Sequence, residues 1–180
     1  MSYIFKYAGI DGAGDKDKFL TEDDDTSTRR TIKLARDVEK EPTDGSRALP
    51  VIISYTCNIS LGDIYEQLRQ KEWLTHSFAN LILALNIDDH PVPAGFIVNP
   101  DFLGEGQKAN LMNHGVPVRE PLRGALAHCK VEADSITDNF AGYIHAVNWL
   151  IRTVAPSVTF GWQVNIWGGG TGDGCRLERL

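Results

Sequence analysis

Residues 48–55 read Ala48-Leu49-Pro50-Val51-Ile52-Ile53-Ser54-Tyr55, an almost unbroken apolar run. Eight residues are too few for a core helix, and the β-branched content suits a pleated strand. A run that is apolar at successive positions reads as a strand buried on both faces, the usual state of a strand in a parallel sheet. Parallel neighbours cannot be joined by a hairpin. They need a crossover, generally a helix, and the crossover is right-handed. One short segment therefore asks the rest of the chain to alternate strands with helices.

The rest of the chain does so. Residues 2–10 read as a strand in which Tyr3, Phe5 and Tyr7 alternate with Ile4 and Lys6, closed by Asp11-Gly12-Ala13-Gly14. Residues 94–98 and 157–167 read as two further strands, the last with Val158, Phe160, Trp162, Val164 and Ile166 on one face. Between them lie stretches with helical spacing. Residues 26–39 carry Ile32, Leu34, Ala35 and Val38; residues 64–85 carry Ile64, Leu68, Phe78, Leu81, Ile82 and Leu85. Residues 118–130 read as a short helix. Residues 138–154 give the clearest one, with Phe140, Ile144, Val147, Ile151 and Val154 in phase and Thr137 or Asp138 as its cap. Pro156 stops it.

The predicted fold is α/β: a mostly parallel sheet of four βα units, half of a β/α-barrel. A full barrel takes about 250 residues, and the chain has 180. The whole chain, 1–180, reads as a single domain. Its fold can be a compact open sheet, a half-barrel that pairs with a copy of itself, or part of a longer enzyme. The glycine-rich stretch 168–174 reads as a loop or linker, and 167–180 as a flexible or interrupted end.

Composition narrows the function. The apolar and charged fractions, 42% and 23%, are those of an ordinary globular protein. A formal charge of -6 argues against nucleic acid and against an anionic membrane surface, both of which call for clustered Lys and Arg. A carbohydrate or another small neutral ligand is compatible with it. No apolar stretch approaches the ~20 residues of a membrane span, and the first residues lack a signal-peptide pattern, so a cytoplasmic location is expected. Cys57, Cys129 and Cys175 are odd in number and match no zinc spacing, which reads as free thiols in a reducing compartment. His76, His114, His128 and His145 lack metal-ligand spacing, and Asp88-Asp89-His90 beside Pro91 reads as a turn. Neither a metal nor an organic cofactor is expected, and neither a nucleophile elbow nor a phosphate loop is present.

In parallel α/β folds ligands sit beyond the C-terminal ends of the strands. That rule selects Asp11, Tyr55, Asn58, Asn99, Asp101, Gln163, Asn165 and Trp167. Carboxylates, amides and aromatic faces together suit sugar recognition: hydroxyls take the hydrogen bonds, and flat rings take the apolar faces. Asp101 follows Pro100 at a strand end, and burial beside Phe102 and Leu103 would give it the surroundings of a general acid. The competing reading is a helix cap. Glu105 and Asp11 are the candidate second carboxylates.

Two motifs carry a family resemblance. Pro50-Val51-Ile52-Ile53-Ser54-Tyr55 resembles the Pro-Val-apolar-Tyr strand of the glycoside hydrolase family 6 cellulases, which have a distorted β/α-barrel. Phe96-Ile97-Val98-Asn99-Pro100-Asp101-Phe102-Leu103 is similar to their strand ending in Glu-Pro-Asp-Ser-Leu, with Asn99 in the Glu position. Gly161-Trp162 and Trp167 loosely match a later strand. The Asp-rich loop of that family is replaced by Thr56-Cys57-Asn58. The resemblance spans roughly the middle two-thirds of the chain. It implies a carbohydrate-active domain of hydrolase type in which Asp101 is the general acid. The alternative is a non-catalytic glycan- or protein-binding half-barrel module that self-associates as a homo-oligomer.

Overall fold

The computed structural model describes residues 2–9, 20–41, 45–58, 63–86, 94–127 and 135–164. The elements in chain order are β1 (Ser2–Gly9), α1 (Ser27–Val38), β2 (Ala48–Tyr55), α2 (Ile64–Arg69), α3 (Lys71–Leu85), β3 (Gly95–Val98), α4 (Phe102–Lys108), α5 (Arg119–Ala125), α6 (Phe140–Val154) and β4 (Thr159–Trp162). A single 3-10 turn, Leu111–Asn113, separates α4 from α5. The four strands form one sheet in the order β1-β2-β3-β4, and every pair is parallel. Sequential order with helical crossovers is the winding of a β/α-barrel, and the sheet is half of one, as the sequence predicts.

Register divides the sheet into two faces. Ala8 stands beside Ser54, Ser54 beside Val98, and Val98 beside Trp162. This row, with Ile52, Phe96 and Phe160, faces the helices. Ala8, Ile52, Phe96 and Val98 share one core with Leu68, Leu74, Phe78, Phe102, Leu122, Tyr143, Val147 and Leu150, and Phe160 and Trp162 pack against it. The alternate row holds Tyr3, Phe5 and Tyr7 of β1, Leu49, Val51, Ile53 and Tyr55 of β2, Gly95 and Ile97 of β3, and Thr159 and Gly161 of β4. Here Tyr3, Phe5, Tyr7 and Ile97 are exposed, and the four β2 residues are only half-buried. The expectation that β2 is buried on both faces is therefore corrected. Its residues alternate buried and half-buried, because the described helices pack on one face only.

The helices differ from the sequence expectation in ways that local chemistry explains. The span 64–85 is two helices, broken at Gln70, whose backbone is extended (φ -85°, ψ 106°). From Leu68 the next buried apolar residue is Leu74. The positions one turn on, Lys71 and Glu72, are charged, so one straight helix would turn charge toward the core. The span 118–130 shortens to Arg119–Ala125 within the described residues. Residues 102–108, which carry two glycines, form α4 all the same. Gly106 is required there, since a Cβ would lie 2.5 Å from the Phe140 ring. On α1 the buried face is Ser27, Thr28, Thr31, Ile32 and Ala35, while Leu34 and Val38 point to solvent.

α6 starts two residues later than expected. Asn139 caps it, accepting from the Gly142 N–H at 2.8 Å. Phe140, Val147 and Ile151 are buried as expected; Ile144 and Val154 are only half-buried. Tyr143, Ala146 and Leu150 complete the buried stripe. Asp138, expected as a cap of α6, serves α5 instead. Its Oδ1 accepts from the Val118 and Arg119 N–H groups at 2.8 Å each, and its Oδ2 from Arg119 Nε at 2.7 Å. The strand expected over 157–167 is confined to Thr159–Trp162. Residues 163 and 164 continue without strand pairing, and the remainder lies outside the described residues. Among the described residues, no helix is long and apolar enough to cross a membrane.

Candidate functional site

The strands are parallel, so their C-terminal ends lie on one side of the sheet: Gly9, Tyr55, Val98 and Trp162. Gly9 belongs there for a backbone reason. It sits at φ +86°, and a Cβ would meet the Tyr55 carbonyl oxygen at 2.0 Å, so only glycine lets β1 end so close to β2. The rings of Tyr7 and Tyr55 lie 6.0 Å apart, tilted by 31°, on the open face near this end.

Behind this rim the ends of β2 and β3 are tied together by buried polar groups. Asn99, at φ 45°, is fully buried. Its Oδ1 accepts from the Thr56 N–H at 2.6 Å, and its Nδ2 donates to Thr56 Oγ1 at 2.7 Å. Ser77 Oγ of α3 donates to the Thr56 carbonyl at 2.6 Å. The Tyr143 hydroxyl of α6 bonds to Thr56 Oγ1 and lies 3.4 Å from Cys57 Sγ. Burial pushes the Tyr143 phenol well above its ordinary value, with the neighbouring Cys57 acting in the same direction. A phenol that stays neutral in an apolar core is a hydrogen-bonding strut. Cys57 is buried; Cys129 and Cys175 lie outside the described residues.

Asp101 is half-buried, at φ 66°, in the N-cap position of α4, yet its carboxylate makes no cap hydrogen bond. The capping reading of this residue is therefore set aside. Non-glycine residues are uncommon in the left-handed region, and Asn and Asp are the types enriched there. With Asn99 also left-handed, the backbone after β3 makes two such turns around Pro100. Glu105 lies one helical turn on. Its N–H donates to the Asp101 carbonyl at 2.9 Å, and its carboxylate is 3.7 Å from Lys108 Nζ.

The other candidates are dispersed. Asn58 is half-buried, and its backbone exchanges two bonds with the Gln67 side chain, at 3.1 and 2.8 Å. Gln163 is exposed just after β4. Trp162 faces the helices, donating from Nε1 to Asn148 Oδ1 at 2.7 Å, with its ring 5.9 Å from Phe102. Asp11, Asn165 and Trp167 lie outside the described residues, as does Asp88-Asp89-His90. Among the described residues, no group of His, Cys, Asp and Glu is arranged to hold a metal ion.

Sequence reasoning placed Thr56 in the strand-end stretch after β2 without giving it a role, and passed over Ser77 and Tyr143. Thr56 and Tyr143 carry no local motif and meet only through the fold, 87 residues apart in sequence. The exposure of Tyr3, Phe5 and Tyr7 was also missed. No local signal marks it: the charged residue of β1, Lys6, falls in the helix-facing row beside Ile52, so the strand's own pattern does not tell its covered face from its open one. Comparison with family models, with curated proteins and with solved structures yields no match, so what the chain does must be read from its own residues.

Proposed function

We propose that the chain is a carbohydrate-active half-barrel that takes a neutral glycan at the C-terminal ends of its strands, with Asp101 as the general acid. The observation that carries this reading is Asp101 itself: a half-buried acidic residue on a doubly left-handed turn, at the strand end where ligands of parallel folds collect. Backbone conformations of this kind concentrate at functional sites. Tyr55, the last residue of β2, offers a flat ring at the rim for a sugar face. Glycoside hydrolysis requires a second carboxylate, about 5–10 Å away depending on stereochemistry. Glu105 and Asp11 are the candidates for that role. Asn99 supports the site from behind, its amide oxygen and nitrogen each bonded to Thr56.

The test is turnover on soluble β-glucan oligosaccharides. Asp101→Asn keeps the side-chain shape and removes the proton donor. It should lower the rate by roughly 10²–10⁴-fold and leave binding nearly unchanged. Turnover that survives this change rules out Asp101 as the acid.

One observation favours a second reading, a non-catalytic binding module. The aromatic residues Tyr3, Phe5 and Tyr7 form an exposed row on the open face, with no charged residue between them in that row. Under this reading neither the natural chain nor Asp101→Asn turns over glycan, and Tyr55→Ala weakens glycan binding.

A further inference from the structure

The open face of the sheet poses a packing question that a strand-end site does not answer. All-parallel sheets are almost always covered on both faces, and here the described helices cover one. The open row holds Tyr3, Phe5, Tyr7, Leu49, Val51, Ile53, Tyr55 and Ile97 and no charged residue. We propose that this face is the inner wall of a barrel closed by two copies of the chain, the β4 edge of each copy pairing with the β1 edge of the other.

Several features of the half-barrel fit a second copy. The strands run in sequential order with both edges, β1 and β4, paired on one side only in the described sheet. Small barrels of this winding close at eight strands, the number that two copies supply. A two-fold axis along the barrel makes both new edge pairings identical, which is a closed arrangement.

Side-chain size is graded across the sheet. In one row Phe5 stands beside Val51, Val51 beside Gly95, and Gly95 beside Thr159; in the next, Tyr7, Ile53, Ile97 and Gly161 follow one another. Large rings on β1 and small residues on β4 become neighbours at each new seam. A filled barrel interior needs large and small residues to interdigitate in this way.

The exposed area is of the right order. Tyr3, Phe5 and Tyr7 are 64%, 66% and 43% exposed. At roughly 200 Å² per ring side chain, two copies would bury about 700 Å² from these residues alone. The β2 aliphatics, Ile97 and two strand seams bring the total near the lower end of the roughly 1,200–2,000 Å² of specific interfaces. A lone copy would instead hold the whole patch in water, at the upper limit seen for soluble monomers.

The experiment is sedimentation velocity on the full 180-residue chain over a range of concentrations, with circular dichroism to confirm folding. The natural chain should sediment with twice the mass of one copy. Phe5→Arg should raise the dimer dissociation constant at least about 30-fold, the hot-spot scale. Gly161→Trp is the sharper variant. A Cβ at Gly161 meets nothing within 4 Å in a single copy, so the chain should fold normally, while the ring would overfill the closed interior and leave monomers. A natural chain that is monomeric at about 100 µM, an assembly other than a dimer, or a dimer indifferent to both folded variants overturns the proposal. None of these outcomes bears on Asp101, whose test is turnover.

Discussion

On the helix-covered face of the sheet, Ile52 and Val98 are fully buried. On the other face, Phe5 and Tyr3 stand about two-thirds in solvent. The residue types are equally apolar. What separates them is the crossover rule: right-handed connections between sequential parallel strands put α1, α3 and α6 on one side. Hydrophobicity decides that a segment is a strand, while connectivity decides which of its faces is covered. The covered face carries the fold, and the open face is the one on which the proposed second copy would pack.

The largest test of that division compares Phe102 with Phe5. Phe102 is fully buried and packs its ring 5.2 Å from Phe140, 5.3 Å from Tyr143 and 5.9 Å from Trp162. Phe102→Ala should cost about 3–5 kcal/mol in urea unfolding. Phe5→Ala, measured at high dilution where single copies prevail, should shift stability by no more than about 0.5 kcal/mol. Equal losses would mean that the open face is also core within one copy.

A middle-sized effect is expected at Tyr143, where the covered face ends in polar groups. Tyr143→Phe removes the hydroxyl that meets Thr56 and Cys57. It should cost about 1–3 kcal/mol, the usual penalty of buried groups left without a partner. The pH dependence has a definite sign. Burial raises the phenol above its ordinary value of 10.0 in the folded chain, so the unfolded chain loses this proton first. Stability linked to Tyr143 is complete below about pH 10 and declines as pH rises from there toward the folded-state value. The gap between the natural chain and Tyr143→Phe should therefore narrow above pH 10. A gap constant from pH 8 to pH 11 would remove the neutral-strut role.

The parallel sheet, the four strands and the long α6 were legible in the sequence because each rests on a periodicity that the chain carries locally. The break at Gln70 was legible in principle, through the charged Lys71 and Glu72 where the apolar stripe should continue. The Thr56–Asn99–Tyr143 network was not. It is made of common residues from three distant segments, and no local spacing predicts a hydrogen bond across the core. Asp101 was found by a topological rule, strand ends in parallel folds, and its left-handed backbone adds to that reading. Asn99 was selected by the same rule, yet its amide faces inward. The rule locates the end of the strand and says nothing of which way a side chain turns.

The smallest effect sharpens the comparison from the helix layer. α5 starts at Arg119 with no side-chain cap from Val118; the carboxylate of Asp138, nineteen residues on, accepts its first N–H groups. Partial burial alone would raise the Asp138 carboxyl. The Arg119 N–H, the Arg119 side chain and the Val118 N–H outweigh it and hold the group below its ordinary value of 3.8. A lowered folded-state value means that the linked stability is present above the unfolded value and fades as pH falls through the folded one. Asp138→Asn keeps an acceptor for the backbone and loses the charge that Arg119 meets. The pair is partly exposed, so the loss at pH 7 should be only about 0.5–1 kcal/mol. The two chains should converge as pH drops below about 3.8, read as urea midpoints at pH 7 and pH 3. Because α5 lies in the helix layer, packed on α3, the self-association of the open face should not change with it. A gap that persists at pH 3 would show that geometry, not charge, secures the start of α5. A change in sedimentation would show that the two faces of the sheet are coupled.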